Sequence, residues 1–222
     1  MTAKYKLLSY PLSEHTPLYA DISAIRINPV KEIARGDSCN TFELSFSNHA
    51  GSHIDAPRHC YETGRAICDY KISDFIFSSP CVVNCPKDND GLVEPKDLDV
   101  NLSGSDILLV RTDFYKYRGD PRYRLNNPGI APETAELLRT KYPNIRALGI
   151  DSISISPFQK RQLGRLSHRI LLNPREFSGE PVLLVEDLNL AQSLDGIKKV
   201  YVIPYFIEKT DSSIVTVIGD FC

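Results

Sequence analysis

No surplus of positive charge marks this chain. It has 222 residues, with 26 Lys and Arg against 28 Asp and Glu, a net charge of -2 and a pI near 6.2. Without a basic stripe or an aromatic platform beside one, a nucleic-acid partner is not expected. Nor does any apolar run approach the roughly 20 residues that span a bilayer. The apolar stretch within MTAKYKLLSYPLSEHTP is too short for the core of a secretory signal. A soluble, cytoplasmic protein with no membrane partner is the expectation. There is no internal repeat, no low-complexity tract and no linker-like segment, so 1–222 reads as a single domain. The CxxC spacing of a zinc knuckle is also missing. Six cysteines stand at 39, 60, 68, 81, 85 and 222, in a chain long enough to fold without disulfide staples. All six are expected to be reduced, and Cys60, beside His59, is the one nearest to any chemistry.

Histidine is scarce too, which makes its placement informative. Of five (15, 49, 53, 59 and 168), three fall between positions 49 and 59. The surrounding chain is dominated by short runs of Val, Ile, Leu and Phe bounded by Pro, Gly, Asn or Asp, which read as strands. These are Tyr5–Ser9, Ile22–Ile27, Thr41–Phe46, Cys81–Asn84, Ile107–Arg111, Ile145–Ile150, Val182–Val185, Val200–Ile207 and Ile214–Ile218. The last two are expected to form a hairpin turning near Thr210-Asp211-Ser212. Ala131-Pro132-Glu133 opens a helix that ends before Pro143. Phe158 to about Leu166 suggests a second, which Gly164 weakens. The polar stretch Tyr115 to Pro128 reads as a solvated excursion, with a lid over a pocket as the sharper alternative.

The histidine stretch is His49-Ala50-Gly51-Ser52-His53-Ile54-Asp55-Ala56-Pro57-Arg58-His59. Gly51 and Pro57 argue against a helix, which would also swing Asp55 away from the two histidines. In an extended chain 49, 53, 55 and 59 share one parity, while Phe42, Leu44 and Phe46 take the other and are expected to bury their side. A flat strand, however, separates His49 and His53 by ~13 Å, too far for two imidazoles to ligate one ion at ~2.1 Å. The backbone must therefore bend at Ala50-Gly51-Ser52, where glycine tolerates unusual dihedrals. His49, His53 and Asp55 then form a ligand set suited to Zn2+, and also to Mn2+ or Fe2+. Open positions on such an ion take water, which there loses a proton near neutral pH. His59 is placed to accept and return that proton. The bland alternatives are hydrogen-bonded histidines on a strand and, for Asp55, a turn carboxylate before Ala56-Pro57.

This stretch resembles the signature of the cyclase-like metal-dependent hydrolases, among them bacterial kynurenine formamidase and isatin hydrolase. Ser52 stands where the signature usually has Thr. Further similarity lies in Leu8-Ser9-Tyr10-Pro11-Leu12, Thr16-Pro17-Leu18-Tyr19, Gly64 to Cys68, Ile107 to Thr112, Gly149-Ile150-Asp151, His168 to Leu172 and Leu184 to Leu190.

The resemblance implies an α/β chain of the swivelling β/β/α fold, with a barrel-like mixed sheet and a few flanking helices. It implies one metal on His49, His53 and Asp55, with Asp55 bridging to a second on His168 and Glu186. The cofactor would be zinc or manganese, one or two ions per chain, with His59 as the acid/base group. It also implies a homodimer or higher homo-oligomer with pockets near the subunit interface. His168 by itself would read as a capping or core residue, and Glu186 as an acid surfacing after a buried run.

The chain departs from the family pattern in several places: Asp113 and Phe114 after Arg111-Thr112 where Gly and Trp are usual, no Trp anywhere, Ser156 in place of an acid, and Asp187 in place of Asn.

The expected activity is hydrolysis of a carbon–nitrogen bond in a formamide, cyclic amide or similar small carbonyl compound. An ester or lactone hydrolase, a biosynthetic cyclase, and a non-catalytic metal- or ligand-binding protein are the alternatives. Phe114, Tyr115 and Tyr19 are candidate pocket walls, with a core role as the default reading.

Overall fold

A computed structural model describes residues 4–21 and 24–221. In chain order the strands are β1 (Tyr5–Leu7), β2 (Arg26–Lys31), β3 (Thr41–Ser45), β4 (His53–Asp55), β5 (Ile76–Phe77), β6 (Pro80–Asn84), β7 (Leu92–Val93), β8 (Ile107–Arg111), β9 (Gly129–Ile130), β10 (Ala147–Ile150), β11 (Leu183–Glu186), β12 (Lys199–Pro204) and β13 (Ser212–Asp220). The helices are α1 (Arg122–Leu125), α2 (Pro132–Lys141) and α3 (Arg161–Leu172). One mixed sheet runs β5-β12-β13-β4-β11-β10-β8-β6, with β1 added alongside β13. It curls into a nearly closed barrel, as expected. Pairing is parallel across β6, β8, β10 and β11. It is antiparallel on both sides of β4, which lies between β11 and β13.

The alternation of side chains along the parallel strands divides the core in two. Ile107, Leu109, Ala147, Leu183 and Val185 fill the barrel interior with Ile54, Val200, Val202 and Val217. Leu108, Val110, Leu148, Ile150 and Leu184 face outward and are covered by Ala135 and Leu138 of α2 and by Ile170 and Leu171 of α3. Both faces being covered explains why these strands read as unbroken apolar runs. On β4 the same alternation buries Ile54 inside the barrel and turns His53 and Asp55 toward the helices.

Several expectations need correction. The strand expected over Thr41–Phe46 is β3, which stops at Ser45 and pairs only with β2, as a separate two-stranded ribbon. Phe42 and Leu44 do not bury their side; they are 54% and 58% exposed. Strand alternation identifies a face but does not say that a core lies against it. The strand expected over Ile22–Ile27 starts at Arg26 and runs on to Lys31, and Ile22 and Ser23 lie outside the described residues. The second helix, expected over Phe158 to about Leu166, runs further. A 3-10 turn at Phe158–Lys160 leads into α3, which continues to Leu172 and so carries His168 well inside it.

The 115–128 stretch is not a solvated excursion: it is anchored in the core, and Arg118 to Pro121 and Arg124 line a surface pocket with Glu14 to Leu18. Tyr123 is fully buried, and its hydroxyl donates to Asp187 Oδ1 at 2.5 Å. Arg118 grips the same carboxylate with Nε at 3.1 Å and Nη2 at 2.7 Å, and its guanidinium lies over the Tyr10 ring. Phe114 is core, packed with Tyr123 and Ile153. Tyr115 accepts a hydrogen bond from Arg111. The cysteines at 39, 60, 68, 81 and 85 are free thiols; Cys222 lies outside the described residues. Among the described residues no helix is long and apolar enough to cross a membrane.

Candidate metal centre

The bend required between His49 and His53 is present. Gly51 has φ +64°, a conformation costly for residues with a Cβ, and an added Cβ would stand 3.1 Å from Leu12 Cδ1. Two further constraints fix the turn: Ser52 Oγ donates to the Asp187 carbonyl at 2.6 Å and accepts from the Tyr10 amide at 3.0 Å. His49 is thereby folded back beside His53, their ring centroids 5.1 Å apart. His53 and Asp55, two residues apart on β4, share a face. Glu186 sits directly across from His53 in the β4–β11 register and joins that face. From above, α3 lowers His168 onto the group. His59 comes from the 3-10 turn Pro57–His59, its ring 4.6 Å from His49 and 5.7 Å from His168.

Asp55 is the hub. His49 Nδ1 lies 3.1 Å and His53 Nε2 3.6 Å from its Oδ1, and His168 Nε2 lies 3.9 Å from its Oδ2. Glu186 spans two histidines, with Oε2 3.3 Å from His53 Nε2 and Oε1 3.4 Å from His168 Nε2. The opposite nitrogen of each imidazole is tied down. His53 Nδ1 donates to the Gly51 carbonyl at 2.8 Å, and His49 Nε2 donates to Asp211 Oδ2 at 3.1 Å. His168 Nδ1 lies 3.0 Å from both the Gly164 carbonyl and Ser156 Oγ. One nitrogen fixed by a backbone or carboxylate acceptor and the other aimed at shared oxygens is the arrangement of a ligating histidine.

Two groups of potential ligands emerge around Asp55: His49, Asp55 and His59, and His53, Asp55 and Glu186. The two groups share Asp55, which places His49 and His53 on either side of it, and His59 stands close to the first. The residues fit a cation on one further observation. Asp55 Oδ1 is buried and has no hydrogen-bond partner, an arrangement that is costly unless a positive charge satisfies it.

Electrostatics follow from this crowding. Burial would lower His49, but the carboxylates of Asp211 and Asp55 outweigh it and push it up to about 9. Burial likewise opposes His59, and Asp55 and Asp211 push it up to about 9. Burial pulls Asp55 upward, yet His59, His53 and His49 together hold it well below the usual carboxylate range. Glu186 is held at about 2, its burial outweighed by His168 and His53. Cys60 lines the cavity that opens onto these residues, but burial pushes its thiol up to about 12, which makes it a poor nucleophile.

Asp211 escaped the sequence reading. It lies in the hairpin turn expected near Thr210-Asp211-Ser212, yet its Oδ2 accepts from both His49 and His59, and its Oδ1 accepts from Asn48 at 2.7 Å. It immediately precedes β13, whose Ser212 pairs with Asp55. The only signal in the sequence was general: a ligating histidine needs an acceptor behind it. The family departures also find their places, with Ser156 against His168 and Asp187 gripped by Arg118.

The Cyclase family model matches residues 7–157, which runs from the end of β1 through β10 to the segment before α3 and includes the His49–His59 stretch. The chain belongs to the Cyclase family. This member is 28% identical over 156 residues to a kynurenine formamidase of Geobacillus thermodenitrificans, an alignment covering 70% of this chain and 72% of that one. Its fold matches isatin hydrolase A from Labrenzia aggregata, solved with benzyl benzoate, at a TM-score of 0.78 and 21% identity, covering 97% of this chain and 92% of the other. A structure described as a predicted metal-dependent hydrolase from Bacillus stearothermophilus superposes with a TM-score of 0.74 at 21% identity, covering 97% of both chains.

Proposed function

We propose that this cyclase-family member is a metal-dependent hydrolase of a carbon–nitrogen bond in a formamide, cyclic amide or similar small carbonyl substrate. In this reading His49, His53, Asp55, His168 and Glu186 hold one or two divalent ions, zinc or manganese. The observation that carries it is the orphaned buried oxygen of Asp55, faced by imidazoles whose other nitrogens are occupied. A divalent ion bound there would polarise a carbonyl and activate water.

The chain's own groups supply the rest. His59 donates Nδ1–H to Asp211 at 2.7 Å, which orients the ring and leaves Nε2 without a hydrogen-bond partner among the described residues. With a cation on Asp55, the carboxylate that most raises His59 would no longer hold its second proton, and Nε2 would then be free to take a proton from the attacking water and return it to the departing nitrogen. A cavity of about 720 Å3 opens onto the cluster, ample for a small aromatic or heterocyclic substrate.

The test combines elemental analysis of protein purified without added metal with a panel of formamides, cyclic amides, esters and lactones. Stoichiometric metal and turnover of a C–N substrate are expected. His53→Ala should lose metal and activity together, whereas His59→Ala should lose turnover and keep its metal. Retention of full metal by His53→Ala would remove the basis of the reading.

We also propose that the protein is a homodimer. Supporting this, the β2–β3 ribbon leaves Val30, Phe42 and Leu44 60%, 54% and 58% exposed, and an unsupported two-stranded ribbon is marginal in water. Light scattering of the wild type and Leu44→Glu should give a dimer and a monomer respectively.

A further inference from the structure

The cavity over the metal centre has a second wall that the proposed hydrolysis does not use. Arg161, Arg165 and Arg169 all line it, together with His168. At positions i, i+4, i+7 and i+8 of α3 these four side chains form one stripe. Three like charges on one helix face repel one another and offer nothing to folding unless anions answer them.

Arg169 is answered, by Glu176. Arg161 lies against the Phe158 ring, its guanidinium carbon 4.0 Å from the centroid, and has no carboxylate partner among the described residues. Arg165 forms no ion pair or hydrogen bond among the described residues. Both guanidiniums act on the phenol of Tyr19, which also lines the cavity and packs edge-on against Phe158 with centroids 5.7 Å apart. At the exposed end of the cavity wall, Tyr19 is thus flanked by two guanidiniums without a carboxylate partner among the described residues, with Phe158 packed behind it. Along α3, Arg165 stands ~4.5 Å and Arg161 ~10 Å from His168, at 1.5 Å per residue.

We infer that the substrate carries a carboxylate, which Arg165 and Arg161 bind at the cavity mouth while its carbonyl group reaches the Asp55 cluster one to two helical turns deeper. A guanidinium matches a carboxylate with two parallel N–H donors, and the Tyr19 ring, which lines the cavity, offers an aromatic surface to the ring or chain between the two groups. The inference rests on the hydrolase reading for its carbonyl end but not for its anion end. Arg165 and Arg161 act as specificity residues: they select the substrate and hold it in place without touching the reacting bond.

The experiment therefore has a binding arm and a turnover arm. Calorimetry with benzoate, benzamide and phenyl phosphate is run on the metal-loaded wild type and on Arg165→Gln and Arg161→Gln, both exposed positions whose replacement leaves the core intact. Benzoate should bind at least about tenfold more tightly than benzamide, and each variant should lose about tenfold or more of that affinity, the worth of one charge-assisted contact. Equal binding by wild type and Arg165→Gln would overturn the inference, because the anion would then sit on the metal. Preference for phenyl phosphate would overturn the carboxylate assignment.

In the turnover arm, 4-formamidobenzoate is compared with formanilide. The variants should raise KM for the first and leave kcat, and all constants for the second, unchanged. If neither compound is hydrolysed while the benzoate pattern holds, the C–N hydrolase reading fails and the anion site stands.

Discussion

One oxygen of Asp211, Oδ2, accepts hydrogen bonds from both His49 Nε2 at 3.1 Å and His59 Nδ1 at 2.7 Å. A proposed metal ligand and the proposed proton carrier are therefore oriented by the same atom. Acceptors behind ligating histidines are typically worth 10–100-fold in metal affinity or activity. Asp211→Asn should lower metal affinity by about tenfold and kcat by about 10–100-fold, and should change the pH profile of kcat because His59 loses a negative neighbour. Competition with a chelator and pH–rate measurements check this. An unchanged affinity and an unchanged profile would reduce Asp211 to a turn residue.

The same carboxylates set a pH dependence for the metal-free protein. His49 and His59 rise from 6.5 unfolded to about 9 folded, so their contribution to stability is fully present below pH 6.5. It is lost as the pH climbs through 9. Asp55, Glu186 and Asp211 are depressed; their contribution is present above their ordinary values near 4 and is lost on acidification. Both side chains are partly open to solvent, at 29% and 32%, so the alkaline loss is on the order of 1–3 kcal/mol after screening. Metal binding runs the other way, since ligating imidazoles must be deprotonated. Thermal melts from pH 6 to 9.5 should show the metal-free midpoint falling and the increment on adding zinc or manganese growing. A flat metal-free curve would mean that these ion pairs contribute nothing.

How far the sequence disclosed this centre depends on how far apart its parts lie along the chain. His49, His53, Asp55 and His59 sit within eleven positions, and Gly51 marks the bend that lets them meet. Residue type, parity and reach suffice there. His168 and Glu186 are joined to the group only by the placement of α3 and the β4–β11 register, relations that no spacing encodes; resemblance supplied them. Asp211 was missed because its neighbours in sequence are turn residues and its function lies in a pairing across β4 and β13. The exposed faces of Phe42 and Leu44 were misread because local alternation is silent about which face meets a core. The central strands were legible, since the runs at Ile107–Arg111 and Ile145–Ile150 are apolar on both faces, as strands covered on both sides must be; their closure into a barrel came from the resemblance.

Arg118 and Asp187 give the 115–128 stretch a structural task. Asp187 is 1% exposed and follows Glu186 directly; it adopts φ 53°, a left-handed conformation that Asp tolerates better than most residues. Arg118→Ala would leave that carboxylate buried with only the Tyr123 hydroxyl, at a cost of about 3–5 kcal/mol. For a chain of this size the melting temperature should fall by about 6–20 °C. Arg118→Lys restores charge without the two-pronged geometry and should recover only part. Arg118→Ala with Asp187→Asn should recover more than Arg118→Ala alone, because the unpaired charge is gone. Equal melting temperatures for Arg118→Ala and wild type would show the pair to be a surface ornament.

Gly164 provides a test in which the intrinsic and the tertiary expectations have opposite signs. Glycine inside a helix costs about 1 kcal/mol relative to alanine, so Gly164→Ala on an unobstructed α3 would stabilise the protein. Here an added Cβ would lie 2.3 Å from Ser156 Oγ and 2.5 Å from Ser156 Cα. Either α3 or the 152–157 segment must then move. One turn further along α3 is His168, whose Nδ1 is 3.0 Å from both Ser156 Oγ and the Gly164 carbonyl. The segment that would yield also carries Ser154 and Ile155, whose hydroxyl and amide hold Glu186 Oε1 at 3.0 Å and 2.7 Å. Overpacking of this kind costs about 1–3 kcal/mol. Gly164→Ala should therefore lower the melting temperature and also reduce bound metal, because His168 and Glu186 are displaced with the contact. Pairing it with Ser156→Gly, which removes Cβ and Oγ from the clash, should return part of the stability without restoring the Ser156 contact to His168. A rise in melting temperature for Gly164→Ala alone would show that α3 is free to relax, and that the close approach does not position His168.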